Sequence, residues 1–93
     1  MNVGVAKMRF RLFGVGSLKE KRSVVKRIVN FVRKKYNVSV SEVGAQDSTT
    51  FFEIALAMVS GSKDLIHNTF EEIASFIELH EGLEIEEMEK EIW

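Results

Sequence analysis

The sequence predicts a single α+β domain with its elements in the order βαββαβ, and three observations carry that prediction. Two segments, around Leu18–Tyr36 and Ile66–Ile77, repeat apolar residues at helical spacing. Four others alternate apolar with polar residues or are rich in β-branched ones. A capping residue precedes each helical segment, and a glycine follows the second. The 93 residues suffice for one core and are too few for two, so residues 1–93 read as one domain. Apolar residues at 45% and charged residues at 29% are the balance of a chain that folds alone.

The first strand spans residues 2–13, with Ala6, Met8, Phe10 and Leu12 on one face and Lys7, Arg9 and Arg11 on the other. Gly14-Val15-Gly16 breaks the alternation, and Ser17-Leu18-Lys19-Glu20 forms a capping box. The Ser17 hydroxyl is expected to accept from the Glu20 amide, and the Glu20 carboxylate from the Ser17 amide. Leu18, Val25, Val29, Val32 and Tyr36 then mark a helix that runs to about Lys35, where Arg33, Lys34 and Lys35 suit the negative end of its dipole.

Residues 37–44 read as a second strand from their β-branched content. A polar stretch, residues 45–50, joins them to a third strand at 51–60, where Phe52, Ile54, Leu56 and Met58 alternate cleanly, so the pair is expected to form a hairpin. Gly61-Ser62-Lys63-Asp64 supplies a turn and a cap, and Ile66, Phe70, Ile73 and Ile77 define a second helix closed by Gly82. In the last strand, residues 83–93, the apolar phase slips between Ile85 and Met88, the signature of a β-bulge.

This order is that of the ferredoxin-like split βαβ arrangement. Right-handed crossovers interleave the strands as 4-1-3-2 in an antiparallel sheet with both helices on one face. Met8, Phe10, Val29, Ile54, Leu56, Phe70 and Ile73 are expected to share the core. Strand 1 then lies between strands 3 and 4, so Lys7, Arg9 and Arg11 face Glu53 and the glutamates of residues 84–89.

Composition excludes several chemistries. The chain has no cysteine, and therefore no disulfide, thiolate metal ligand or thiol nucleophile. It shows neither the build of a signal peptide nor an apolar run of the roughly 18 residues needed to cross a bilayer, so the cytoplasm is the expected compartment. The net charge of −1 conceals a segregation of signs: residues 1–36 hold eleven Lys and Arg with one acid, and residues 37–93 hold two Lys with thirteen acids. Such asymmetry serves a polyanion partner, or lets the halves neutralise each other within a fold or between copies.

The run Ser17-Leu18-Lys19-Glu20-Lys21-Arg22-Ser23-Val24, with residues 37–44 and Gln46-Asp47, resembles the YlxP-like family of small uncharacterised bacterial proteins. The resemblance spans nearly the whole chain and implies a ferredoxin-like fold with no established activity. Genes of that family often lie beside those for translation initiation and ribosome maturation factors, which implies a role near the ribosome. Many members continue after Gln-Asp with a Trp-Gln-Arg-like segment, whereas here Ser48-Thr49-Thr50-Phe51 follows.

Most candidate sites have plainer readings. Gly14-Val15-Gly16 precedes a helix N-terminus but matches no phosphate-loop pattern, and Ser17, without a nearby base, reads as a cap rather than a nucleophile. His67 and His80 stand thirteen residues apart, a spacing that joins them in no helical metal motif, so neither metal nor cofactor is expected. Two features remain. Lys19, Arg22, Lys26 and Arg33 share one sector of the first helix, with Lys21 projecting from its first turn. They read either as a solvated face or as contacts to the phosphates of ribosomal or other structured RNA. The open sheet face carries Val3, Val5, Phe51 and Val59 beside the cations of strand 1, which suits a homodimer or small ligands at its seam. An acylphosphatase-like enzyme shares the size and fold class, but its arginine-bearing glycine loop and catalytic asparagine are not recognisable around residues 13–17. The expectation is a non-enzymatic binding module.

Overall fold

The computed structural model describes all residues, Met1–Trp93. Its elements are β1 (Asn2–Arg11), α1 (Leu18–Lys35), β2 (Ser39–Glu42), β3 (Phe51–Ser60), α2 (Lys63–Glu81) and β4 (Glu84–Ile92). The strands form one antiparallel sheet in the order β2-β3-β1-β4, the ferredoxin-like order 4-1-3-2. Period-two alternation makes each strand two-faced, so one set of side chains meets the helices and the other is left open.

The covered face and the helices enclose one core of 17 buried apolar residues, including all seven expected ones. Phe10 and Phe52 stack there with ring centroids 5.2 Å apart, on the directly paired positions of β1 and β3. Gly4 lets α2 come close: a Cβ at that position would lie 2.3 Å from the Ile66 Cγ2. A side chain there would force α2 away from the sheet.

Local chemistry sets the boundaries. The Ser17 hydroxyl accepts from the Glu20 amide at 3.1 Å, and the Glu20 carboxylate accepts from the Gly16 amide at 2.8 Å. The box therefore closes on the residue before the cap rather than on Ser17 itself. Ser62 caps α2 in the same way, accepting from Leu65 N–H, and Gly82 ends it in the left-handed conformation at φ 64°. Pairing of β1 with β4 slips between Arg9, opposite Glu87, and Phe10, opposite Ile85. Glu86 is thus the extra residue of the bulge announced by the phase slip. β2 is shorter than the 37–44 segment: Val38 packs against the core without strand pairing, and Gly44 and Ala45 turn the chain at φ 60° and 49°.

Candidate functional site

Helix α1 turns Val25, Ile28, Val29 and Val32 into the core. Lys19, Arg22, Lys26 and Arg33 run along its exposed flank beside β2. At 1.5 Å rise per residue the row is about 21 Å long. Five ion pairs join the chain's charges, namely Lys7–Glu53, Arg11–Glu86, Lys21–Glu42, Arg27–Glu81 and Lys90–Glu71. None involves the four residues of the row. Lys19, Arg22 and Lys26 are free cations, whereas Arg33 donates to the Val40 carbonyl at 3.0 Å and to Asn30 Oδ1 at 3.3 Å, tying α1 to β2.

Lys21 does not belong with them. Its side chain is only 1% exposed, and its ammonium donates to the Ala45 carbonyl and lies 3.6 Å from Glu42 Oε2. It cannot project from the first turn toward a partner, because it points inward on the same face as Val25, Ile28 and Val32. The spacing 21, 25, 28, 32 was the available signal. Burying an ammonium is tolerable here because a carbonyl and a carboxylate receive it. Its structural effect is to pin the Gly44–Ala45 turn against the start of α1.

Of the remaining cations of α1, Arg27 and Lys35 are engaged with α2, and Lys34 has no ion-pair partner. The hydrogen bond and charge of Glu81, 2.5 Å away, raise the Arg27 guanidinium above its ordinary pKa. Lys35 sits over the Phe76 ring at 4.5 Å, and Phe31, Phe76 and His80 stack in a ladder with centroid spacings of 4.1 and 3.9 Å. The i, i+4 spacing of Phe76 and His80 is the only trace of this ladder in the sequence. Tyr36, desolvated and beside Glu72, has its hydroxyl pKa raised. Around Gly14–Gly16 the Gly16 amide is filled by the Glu20 carboxylate, so the helix start supplies its own anion. No three His, Asp or Glu side chains converge as metal ligands, and His67 and His80 lie apart on α2.

On the open sheet face the register places Val3 beside Val59, Val5 beside Ala57, Lys7 beside Ala55, Arg9 beside Glu53 and Arg11 beside Phe51. Lys7 reaches Glu53 at 3.8 Å, Arg11 reaches Glu86 at 2.6 Å, and Arg9 lies over the Phe51 ring at 4.2 Å. The Glu86 hydrogen bond, then its charge, raises the Arg11 pKa. At the other end of the same face, Val59 is 61% and Trp93 59% exposed. Ala55, Ala57, Ser39 and Ser41 floor a trough of about 650 Å³.

These features define a small ferredoxin-like module with a row of free cations on one helix and an uncovered, partly apolar sheet. The chain belongs to the family described as a protein of unknown function (DUF503), whose family model matches residues 3–90. It is 38% identical over 76 residues to the uncharacterised protein YlxP of Bacillus subtilis (strain 168), covering 82% of this chain and 83% of that one. Among solved structures it is similar to the de novo designed protein Foldit4, with a TM-score of 0.61, 21% identity and 96% of each chain covered. It is also similar to the putative chlorite dismutase TA0507, with a TM-score of 0.53, 15% identity, 99% of this chain and 44% of that one. At such identities the two structures speak for the fold alone. No helix is long and apolar enough to cross a membrane.

Proposed function

We propose that the protein is a non-enzymatic binding module that docks structured RNA, ribosomal RNA included, on the exposed flank of α1. One observation carries the reading: Lys19, Arg22 and Lys26 stand in a row with no carboxylate within 4.0 Å, although the second half of the chain is rich in acids. A folded domain with this many glutamates had the means to neutralise them. Phosphates are the complementary chemistry, since ammonium and guanidinium groups displace condensed counterions from a nucleic acid. Arg33 ends the row, its guanidinium tied to Asn30 and to the Val40 carbonyl. No aromatic side chain lies along the row, so it contacts backbone rather than stacking on bases, and sequence preference is weak. A cytoplasmic setting, where structured RNA is abundant, goes with this reading.

The test replaces Lys19, Arg22 and Lys26 together by Gln and follows co-sedimentation with ribosomal subunits, and binding to a structured ribosomal RNA fragment, at two salt concentrations. Each lost cation is expected to flatten the logarithmic salt dependence by about one unit. The thermal midpoint should barely move, because exposed side chains remote from the core change stability by about 0.5 kcal/mol or less. Unchanged affinity together with an unchanged salt slope would sink the proposal.

A further inference from the structure

A solvated antiparallel sheet normally alternates apolar-in with polar-out. The open face of this sheet departs from that pattern at one end, where Val3, Val5, Ala57 and Val59 stand together and the small side chains of Ala55 and Ala57 leave a trough lined also by Val5, Lys7, Glu89 and Glu91. We infer that a second copy of the chain covers this face, packed sheet on sheet about a two-fold axis that runs parallel to the strands along the β1–β3 seam.

Register carries the inference. Rotation about that axis preserves position along the strands and places each outward residue of β1 over its own β3 neighbour, now in the other copy. Val3 then meets the second copy's Val59, and Val5 and Lys7 enter the trough over Ala57 and Ala55. Large side chains thus face small ones, the condition for two sheets to interdigitate at about 10 Å. Charges agree as well. Arg9 meets Glu53, and the β4 carboxylates at Glu89 and Glu91 come over the β2 hydroxyls at Ser41 and Ser39. The net charge of −1 sets no general repulsion between copies. Strands about 4.8 Å apart with about 3.4 Å rise per residue give the face a projected area of about 500 to 600 Å². Side-chain relief brings this near the roughly 800 Å² per partner of a specific interface. The contact is isologous and closes on itself, so it stops at a dimer. It leaves both α1 flanks outside and is independent of the RNA reading.

Equilibrium sedimentation of the full chain should give twice its 10.6 kDa mass as concentration rises. Arg9→Glu and Glu53→Arg each create two like-charge contacts across the proposed axis, and each is expected to weaken the dimer about tenfold or more. The decisive arm mixes the two variants. A pair made of one Arg9→Glu chain and one Glu53→Arg chain restores opposite charges at both crossings, so the mixture should dimerise as the parent does. Circular dichroism confirms that each variant is folded. A parent mass of 10.6 kDa at every concentration would assign the face to a different macromolecule and overturn the proposal. A dimer that neither single variant weakens, or that mixing fails to restore, would overturn the axis and with it the proposal.

Discussion

Strand β1 and helix α1 are both rich in cations, yet the fold treats them in opposite ways. On β1, Lys7 and Arg11 have carboxylates and Arg9 has an aromatic ring. On the flank of α1, Lys19, Arg22 and Lys26 have none. A strand has neighbours on both sides at about 4.8 Å, so its charges meet whatever the register brings, whereas the outer flank of a helix meets only water. Free charge is therefore decided by topology and register, and counting residues does not reveal it.

The strongest way to break the comparison is to loosen β1 itself. Phe10 lies between Arg9 and Arg11 and anchors the strand to Phe52, so Phe10→Ala should destabilise the fold by about 3 to 5 kcal/mol. Urea denaturation reads this, and a loss below about 1 kcal/mol would show that the β1 register is held elsewhere. Lys21→Met sharpens the comparison within α1. Removing the buried ammonium takes one of two donors from the Ala45 carbonyl, Ser48 N–H remaining, and the ion-pair partner from Glu42, at about 1 to 3 kcal/mol, while the polyanion affinity attributed to the exposed row stays unchanged. A stable Lys21→Met variant with weakened RNA binding would place Lys21 among the contacts after all.

The smallest expected effect concerns Glu71 and Lys90, a helix-to-strand pair outside both regions. The Lys90 hydrogen bond, only partly offset by desolvation, holds the Glu71 carboxyl below its ordinary range. A carboxyl whose pKa is lowered by folding contributes stability above its unfolded pKa and loses it as pH falls through the folded one. The group is well exposed, so solvent screens most of the contribution. Acid titration of the melting temperature should show the parent's advantage over Glu71→Gln shrinking as the solution is taken below pH about 4.3. A constant difference across that range would mean the pair is not formed in solution.

Most of the fold was legible because hydrophobic periodicity and caps state it locally. The slip between Ile85 and Met88 even located the bulge. The start of β2 was less legible, since Val38 has strand-like chemistry but pairing begins only at Ser39. Lys21 was misread for a simpler reason. Its charge suggested exposure, although its place in the 21, 25, 28, 32 series put it on the buried face. The other four residues of the row were visible from spacing. The bond from Arg33 to Val40 was not, because it depends on how α1 lies over β2. The trough was hidden too, since Ala55 and Ala57 matter only for the space they leave.

Trp93 is the chain's single tryptophan, and backbone hydrogen bonds of 2.9 and 2.8 Å with Val3 hold it at the apolar end of the open sheet. Its half-hydrated indole gives the protein a native fluorophore at the margin of the face a second copy would cover. Emission that shifts to shorter wavelength, or is less readily quenched by a small soluble quencher, would report burial of that end without any label.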